Sequence, residues 1–392
     1  MVITHVIDTL DPAAGGPPRV AARLAAAQAA LGHTVHVVSR RPEEARLQVT
    51  EKAVREVPGM AAVSLQPLPR ECVSRLGRWR ADPASLLGAA GAAEVFHLHG
   101  VWDGILRACA EWAGGRGAAH VVRPAGMLDV WSMKQSRLKK RIALALGWRR
   151  MLDRSLFIHA LNRDEAELMS PLRLRAPVEV IPNGIFLEEV GRLPPGGSFR
   201  AAHPELGAEP FVLFLSRLHF KKGLDVLADA FAAALRRQPT ARLVVAGPDE
   251  GAEQEFRAQV RQLGIAERVH LVGPLYGADK LAALVDASLF CLPSRQEGFS
   301  VAITEALACG APVVISTECH FPEVAEEGAG RVVPLDAAAV AAAMAELLAD
   351  PAAARGMGER GRAMVLSRYT WPEIARLTVE RCRDRLAARG RG

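Results

Sequence analysis

The stretch Cys291 to Ser316, CLPSRQEGFSVAITEALACGAPVVIS, predicts a strand, a polar loop, a helix and a second strand in that order. The apolar residues at its two ends indicate buried strands, and Val301 to Ala308 is rich in residues that form helices. Glu297 stands in the loop before this helix, and Glu305 stands one turn into it. The helix begins near Ser300, where free backbone amides and the helix dipole favour an anion. Two acceptor carboxylates beside an anion cradle suit a ligand that carries both a diphosphate and hydroxyl-rich rings, as a nucleotide-sugar does.

The length and composition indicate a chain with large buried cores and no membrane span. The 392 residues predict two or three domains, and half of them are hydrophobic. No window of ~18 uncharged apolar residues is present. The first residues, MVITHVIDTLDPAAGG, indicate a strand and a loop rather than a signal peptide. The six cysteines have no metal-binding spacing, which predicts buried thiols in a reducing cytoplasm.

The positive charge is concentrated in the first half of the chain. Residues 1–185 carry eight more basic than acidic residues, whereas the remainder carries two more acidic than basic ones. Such an excess suits nucleic acid, an anionic membrane surface or a phosphate-bearing acceptor. Nucleic acid is the least favoured partner, because the cations are not interleaved with stacking aromatic residues. Between residues 134 and 154 the cations form a basic amphipathic segment, for which we expect either a solvated helix face or a contact with anionic lipid: Lys134, Arg137, Lys139, Lys140, Arg141, Arg149, Arg150 and Arg154.

Two series of alternating strands and helices predict two domains. The chain opens with a strand, a loop containing Gly15 and Gly16, a helix and another strand, which is typical of a Rossmann-like domain. Residues 188–210 are rich in Pro, Gly and charge, which is typical of a linker. We therefore predict a first domain over residues 1–187, a linker over 188–210, a second domain over 211–368 and a closing helix over 369–392. The long amphipathic closing helix is expected to pack back on the first domain.

The first strand of the second series leads into SRLHFKKG, in which Arg217 and Lys222 precede Gly223. Open α/β sheets bind ligands at the carboxyl ends of their strands. The two cations are therefore predicted to clamp a diphosphate, the guanidinium as a bidentate donor and the ammonium as a point charge. Two solvated cations at a helix start would be unfavourable, because they oppose the helix dipole.

With these pieces in place, the chain resembles the retaining glycosyltransferases of family four, which have the GT-B fold. The resemblance rests on motifs spread in the family's order over nearly the whole chain: Gly15-Gly16, Pro182 to Gly184, Ser216 to Gly223, Ala246 to Pro248, EGFSVAITEALACGAPVV from Glu297, and YTW from Tyr369. The segment HLHGVW…RPAGMLDVWS is similar to bacterial members that build exopolysaccharide or lipopolysaccharide. The resemblance implies an α/β fold with two Rossmann-like domains facing an interdomain cleft. It also implies that the closing helix crosses back to the first domain.

The resemblance also implies roles for particular residues. Catalytic roles fall to Glu297, which would face the donor sugar, and to Arg217 and Lys222, which would hold the diphosphate. Glu305 would accept hydrogen bonds from the ribose hydroxyls. The remaining donor-binding residues are predicted to be Gly16, Gly298, Phe299, Ser300 and Val301, with Leu275 and Tyr276 near the base. In the first domain, His99, His120 and Asp129 are candidates for contact with the acceptor or the sugar, although a histidine on a strand is more often structural.

Two absences in the sequence bear on the mechanism. The chain has no Asp-x-Asp, which agrees with a metal-independent reaction that needs no cofactor besides the donor substrate, a UDP- or GDP-sugar. Many relatives carry a histidine in the first domain where this chain has Ala125, which puts the corresponding role in doubt.

The resulting prediction is a retaining glycosyltransferase that moves a sugar from a nucleotide-diphosphate donor to a glycan or polyprenyl-linked acceptor. It would act in cell-surface polysaccharide synthesis, in the cytoplasm, at the inner face of the cytoplasmic membrane. Two alternatives remain open from the sequence. One is a nucleotide-sugar epimerase of the same architecture, and the other is a non-catalytic nucleotide-sugar-binding protein. The donor base, the sugar, the linkage and the oligomeric state are likewise left open.

Overall fold

The computed structural model describes residues 1–390, apart from the side chains of residues 130 and 131, as two units. One unit comprises residues 1–183 and the chain from Trp371 onward, and the other comprises residues 184–370. Each unit is built on a parallel sheet flanked by helices. The prediction of two Rossmann-like α/β domains is therefore confirmed.

The first unit contains a seven-stranded parallel sheet. Its strands are β1 (Val2–Val6), β2 (Thr34–Arg40), β3 (Ser64–Leu68), β4 (Val95–His99), β5 (Ala119–Arg123), β6 (Ile158–Ala160) and β7 (Val178–Val180). They lie in the order β3-β2-β1-β4-β5-β6-β7. The order reverses between β1 and β4, so the loops that leave these two strands diverge and open a crevice at their carboxyl ends. The helices are α1 (Gly16–Ala30), α2 (Glu44–Arg55), α3 (Pro83–Leu87), α4 (Gly104–Gly115), α5 (Val130–Lys134), α6 (Arg137–Ala143), α7 (Arg149–Asp153) and α8 (Arg163–Met169).

The second unit contains a six-stranded parallel sheet. Its strands are β8 (Phe211–Leu215), β9 (Arg242–Ala246), β10 (Val269–Gly273), β11 (Leu289–Leu292), β12 (Val313–Ser316) and β13 (Gly330–Val333), in the order β10-β9-β8-β11-β12-β13. Here the order reverses between β8 and β11. The helices are α9 (Leu187–Val190), α10 (Ser198–Ala202), α11 (Leu224–Ala234), α12 (Glu253–Gln262), α13 (Gly277–Asp286), α14 (Val301–Ala308), α15 (Glu323–Glu326), α16 (Ala337–Ala349) and α17 (Pro351–Arg368). The central strands β8 and β11 are almost wholly buried, which explains their continuous apolar runs.

The closing helix, α18 (Trp371–Arg389), packs against α1 in the first unit. Trp371 and Cys382 are buried on its inner face. Arg381 and Arg385 both contact the carboxylate of Glu179 in β7. The helix therefore returns to the first unit, in agreement with the predicted fold class.

The structure differs from the predicted linker over residues 188–210. This segment belongs to the second unit, and Phe199 and Leu206 are buried in its core. The carboxylate of Asp286 accepts hydrogen bonds from the backbone N–H groups of Gly197 and Phe199 at 2.6 and 2.8 Å. The Pro- and Gly-rich segment is therefore not a free linker. The buried side chains of Phe199 and Leu206 and the carboxylate of Asp286 hold it against the second unit.

All six cysteines are free and buried, as predicted. Burial raises the pKa of the Cys382 thiol to about 12, so it is unreactive at neutral pH. Within the described residues no single helix is long and apolar enough to cross a membrane. Only α16 and α17 taken together reach the required length and composition, and they are bent by 104° at their junction.

Candidate functional site

Two of the three predicted catalytic residues, Lys222 and Glu297, lie where the strand order reverses in the second sheet. Lys222 ends a short 3-10 turn in the loop after β8, and Glu297 lies in the loop after β11. These strands are neighbours, and they run parallel, so both loops leave the same edge of the sheet. This edge is the position at which open α/β sheets bind their ligands. The two residues are 75 positions apart in sequence, and only the strand order brings them together.

Lys222 and Glu297 form a nearly buried ion pair. The Lys222 Nζ atom donates to Glu297 Oε1 at 2.6 Å, and the two side chains are 12% and 8% exposed. The preceding residues of the two loops are joined in the same way, since Lys221 Nζ donates to Gln296 Oε1 at 3.2 Å. An ammonium has three N–H donors, so Lys222 keeps donors beyond the one directed at Glu297. The pair therefore holds a cation in place at the sheet edge.

Two motif glycines allow the loops to approach each other. Gly223 has φ +68°, and a Cβ there would lie 1.8 Å from the backbone oxygen of Pro293. Gly247, in the loop after β9, has φ +151°, and a Cβ there would lie 1.8 Å from the backbone oxygen of Ser216. Any side chain would have to displace a backbone oxygen, and the φ of Gly223 also disfavours one. Glycine at these places is thus required for the loops after β8, β9 and β11 to meet.

The N-terminus of α14 adds partial positive charge to this edge. Ser300 is its N-cap and is buried, but its side chain makes no capping hydrogen bond, so the first-turn amides lack that partner. Gly298 is exposed, and the ring of Phe299 packs against that of Phe321, with centroids 5.5 Å apart. Val301 is the first helical residue. The helix start for which an anion cradle is predicted therefore lies next to Glu297.

Glu305 lies in the middle of α14 and is paired with a residue that the sequence motifs did not single out. Lys280 Nζ, from α13, donates to Glu305 Oε1 at 2.7 Å, and both side chains are largely buried. The two residues just before α13 are the predicted base contacts. Tyr276 is 72% exposed, whereas Leu275 packs against the core. Lys280 could have been noticed as a cation one helical turn after this pair, but its partner is decided by packing.

Arg217 is separate from the Lys222 pair. Its Nη1 donates to both carboxylate oxygens of Glu250, at 2.9 and 2.7 Å, and its side chain is 58% exposed. The backbone of Leu218 forms an isolated bridge with Asp249, which brings Glu250 to this loop. The guanidinium is therefore at the predicted edge but held by a surface carboxylate.

The four predicted residues of the first half occupy four different places in the first unit. Gly16 is the first residue of α1, and a Cβ on it would meet open space. His99 ends β4 with its ring fully inside the unit, and Asp129 caps α5 by accepting from the Ser132 amide. His120 lies in the first half of β5, where its Nε2 hydrogen-bonds to the Met151 backbone oxygen at 2.8 Å. His120 is thus towards the amino end of its strand, away from the edge that would bind ligands, which removes the geometric reason for its predicted role.

Comparison with known protein families covers both units. Residues 198–364 match the family of glycosyl transferases group 1, and residues 15–184 match the glycosyl transferase 4-like domain. The second unit is therefore similar to the group 1 glycosyl transferases, and the first unit is similar to the glycosyl transferase 4-like domain. The matched ranges include Lys222, Glu297 and Glu305 in one unit and Gly16, His99 and Asp129 in the other.

Curated proteins similar to this chain include two mannosyltransferases. It is 33% identical over 199 residues to a phosphatidyl-myo-inositol mannosyltransferase of Mycobacterium leprae, in a match that spans 50% of each chain. It is 27% identical to a GDP-mannose:cellobiosyl-diphosphopolyprenol alpha-mannosyltransferase of Xanthomonas oryzae pv. oryzae, over 98% of this chain and 97% of the relative. The chain thus spans about half the length of the Mycobacterium leprae relative. Among solved structures, Anabaena HepE in complex with UDP and glucose is similar in fold, with a TM-score of 0.74 and 19% identity over 98% of this chain and 100% of that one.

Sequence reasoning missed a layer of buried histidines in the first unit. His5, His97 and His99 are stacked with ring centroids 4.8–5.2 Å apart, and His159 Nδ1 lies 3.2 Å from His97 Nε2. Burial lowers the pKa of His5 to about 4, and the charge of Arg123 contributes to this shift. The His5 ring is therefore neutral at pH 7. The register explains the layer, because His5 pairs with His97 across β1 and β4. Alternation along the strands could have shown that these side chains share a face.

Three of these histidines form the one set of potential metal ligands in the described part of the chain, His5, His97 and His99, with ligand atoms within 4.8 Å of one another. Stacked rings direct their lone pairs in nearly parallel planes rather than towards one point. Arg123 is fully buried beside them, and burial lowers its pKa only to about 10, so it stays charged. A buried guanidinium opposes a metal cation. The layer therefore acts as polar packing under the carboxyl edge of the sheet.

Proposed function

We propose that this chain is a retaining hexosyltransferase that moves a sugar from a nucleotide-diphosphate donor to a glycan or polyprenyl-linked acceptor. Its product would enter the synthesis of a cell-surface polysaccharide, either an exopolysaccharide or a lipopolysaccharide. The observation that carries the proposal is the Lys222–Glu297 pair at the reversal point of the second sheet, next to the start of α14. A held cation and a helix N-terminus at one sheet edge suit the diphosphate of such a donor.

The proposed chemistry needs stabilisation of negative charge. When the bond between the anomeric carbon and the diphosphate oxygen breaks, charge develops on the diphosphate. Lys222, Arg217 and the first amides of α14 would stabilise this charge without a metal ion, because fixed donors in a water-poor site act strongly on a transition state. The acceptor oxygen would bond to the anomeric carbon on the face that the leaving group vacates. Its proton would pass to the leaving phosphate oxygen.

The remaining residues of the edge would hold the donor. Glu305, fixed by Lys280, would accept hydrogen bonds from the ribose hydroxyls. Tyr276 and Leu275 would border the base, and Glu297 would face the sugar while it orients the Lys222 ammonium. GDP-mannose is the first donor to test, because the relative aligned over almost the whole chain is named for it. UDP-glucose is the second, since HepE was solved with UDP and glucose.

The test is incubation of the full chain with radiolabelled GDP-mannose or UDP-glucose and a bacterial lipid extract. We expect label to move into the lipid fraction, and Lys222→Ala to lose about 100-fold or more of this rate. Lys52→Ala, which removes an exposed lysine of the first unit, is the matched control and should react like the wild type. Epimerised donor without transfer would establish the epimerase instead. Binding without any turnover would establish a non-catalytic protein.

We also propose that the chain works on the cytoplasmic side of the cytoplasmic membrane, through a peripheral contact. The membrane-contact segment comprises residues 134–154. Leu138, Ile142 and Leu146 are spaced four residues apart on one face of it and are 71%, 50% and 48% exposed. Arg137, Lys139 and Arg141 are exposed beside them. An exposed apolar stripe flanked by cations is typical of a helix that lies in the interface of an anionic bilayer.

Flotation with vesicles that contain anionic lipid tests this contact. The triple change of Arg137, Lys139 and Arg141 to Ala should reduce co-flotation several-fold, and so should Leu138→Ser with Ile142→Ser, because charge and apolar area both contribute. Lys140 is left intact, since its Nζ donates to the Ser132 backbone oxygen at 2.6 Å and helps to hold the segment. The matched apolar control is Val49→Ser with Leu65→Ser, which changes exposed residues outside the segment. Equal binding by all of these proteins would exclude the contact.

A further inference from the structure

The first sheet has its own crevice at the point where its strand order reverses. The loop after β1 and the loop after β4 diverge there and border a cavity of about 440 Å³. This volume lies in the range of small-molecule sites. Seven of its lining residues carry charge or a polar group: Asp8, Thr9, Arg40, Arg70, Arg75, Trp102 and Asp103. All of its lining residues belong to the first unit, and none of them is a residue assigned above to the donor.

Two carboxylates face this cavity in different states. Asp8 is paired with Arg40, whose Nε lies 2.8 Å from its Oδ1. Asp103 precedes α4 without capping it, and no hydrogen bond to its carboxylate is found within residues 1–390. Burial and the nearby Asp8 raise the pKa of Asp103 to about 6. A half-buried carboxylate without a partner at the mouth of a cavity is an acceptor for a ligand's hydroxyl groups.

Among the residues that the structure describes, one cation of the cavity has no committed partner. Arg40 is held by Asp8, and Arg70 Nη1 donates to Glu43 at 2.9 Å. For the exposed guanidinium of Arg75, the described part of the chain shows neither an ion pair nor a hydrogen bond. A free guanidinium binds a phosphate or carboxylate with two parallel hydrogen bonds.

The aromatic wall of the cavity has an unsatisfied donor as well. The Nε1 atom of Trp102 is buried, and it has no hydrogen-bond partner among the described residues. Buried polar atoms normally have a partner, so such an atom beside a cavity marks a place for a ligand's or a water's oxygen. The cavity thus offers a ligand a hydrogen-bond donor, the Trp102 Nε1–H group, as well as the acceptor carboxylates.

We propose that this cavity binds a sugar that carries a phosphate group, with its hydroxyls on Asp8 and Asp103 and its phosphate on Arg75. The combination of acceptors for hydroxyl protons with a free cation matches that ligand and neither a neutral glycan nor a bare anion. The inference deepens the proposed function, and it rests on that function only in identifying the bound sugar phosphate with the reducing end of the acceptor.

The test is calorimetric titration of the full chain with glucose 1-phosphate, methyl glucoside and inorganic phosphate. Every protein carries Lys222→Ala, so that the donor site contributes less to phosphate binding. Glucose 1-phosphate should bind more tightly than either fragment. Arg75→Ala should weaken glucose 1-phosphate binding roughly ten-fold or more, because one charge-assisted bidentate contact is lost. Arg78→Ala, which removes an exposed arginine three residues further along, is the matched control and should change nothing.

Asp103→Asn separates the two halves of the site. It should weaken both glucose 1-phosphate and methyl glucoside, and it should leave inorganic phosphate unchanged. Equal affinity of the Arg75→Ala and reference proteins for glucose 1-phosphate would overturn the proposal, and so would inorganic phosphate binding as tightly as the sugar phosphate. Transfer assays with the otherwise wild-type chain keep the two proposals apart. Absent turnover with intact probe binding would count against the proposed function alone, whereas turnover without probe binding would count against this inference alone.

Discussion

Removal of the Lys222 ammonium should destabilise the second unit, because the nearly buried Glu297 carboxylate would be left without its counter-ion. Lys222 Nζ lies 2.6 Å from Glu297 Oε1, and the side chains are 12% and 8% exposed. Breaking a fully buried ion pair from one side costs about 3–5 kcal/mol, because the remaining charge is left without compensation. The small residual exposure admits some water, so we expect Lys222→Ala to lose about 2–3 kcal/mol of unfolding free energy. For a unit of this size that corresponds to a fall in Tm of roughly 5–10 °C.

A second change tests whether the stranded charge is the cause. Glu297→Gln in the Lys222→Ala background removes the carboxylate charge, and it should recover most of the lost Tm in a thermal scan at neutral pH. The transfer rate should not recover, because the double variant still lacks the cation that acts on the diphosphate. Stability and activity are therefore expected to separate.

Arg217→Ala is the matched comparison, since Arg217 and Glu250 form a mostly exposed pair at the same sheet edge. Such pairs contribute about 0–1 kcal/mol, so its Tm should change little while the transfer rate falls. An unchanged Tm in Lys222→Ala would refute the reasoning, because it would mean that the Glu297 carboxylate is solvated. Recovery of activity in the double variant would equally refute it, because the pair would then be structural.

Three further predictions use other features of the structure. Gly223→Ala should lower Tm by more than Lys222→Ala or prevent folding, because the new Cβ would overlap a backbone oxygen at a left-handed φ; Gly196→Ala, where open space surrounds the site, should not. Glu305→Gln should raise the donor KM about ten-fold with little change in kcat in steady-state kinetics, because ribose contacts persist from the bound state to the transition state, and an unchanged KM would contradict the role. Burial raises the pKa of Asp103 from 3.8 to about 6, so the folded state takes up a proton between these values. Its contribution to stability is therefore highest below the lower value and falls by about 3 kcal/mol as pH rises through the upper one, and thermal scans against pH should show this fall in the wild type but not in Asp103→Asn.

The fold was largely predictable where strands are buried on both faces. The strands β8, β9, β11 and β12 are recognisable in the sequence as short apolar runs, because a parallel sheet covered by helices has no face exposed to solvent. The edge strand β3 (Ser64–Leu68) gives no such apolar run, since it is half exposed and contains Pro67, which only an edge position tolerates. The composition of the sequence also does not predict where each unit begins and ends. Residues 188–210 look like a linker, yet Phe199 is buried in the second unit.

The site was predictable as a set of loops but not as a set of contacts. The motifs marked Lys222, Glu297 and Glu305 correctly as residues at strand ends and on α14. They carried no information that Lys222 pairs with Glu297 or that Lys280 pairs with Glu305, because pairing depends on which strands are neighbours. For the same reason the sequence does not show that the histidines of the first unit share one layer, which the pairing of β1 with β4 creates.

The stretch from Cys291 to Ser316 by itself determined the strand–loop–helix–strand unit, because hydrophobic period and helix-forming residues act over a few positions. The sequence shows that positions 223 and 247 are glycine, but only the tertiary structure shows why. Each of them lies against the backbone of a loop that is distant in the chain. Only the strand order β10-β9-β8-β11-β12-β13 made Glu297 the partner of Lys222. Local free energies select elements, whereas a charge pair forms only once the sheet has brought distant loops to one edge and excluded water from them.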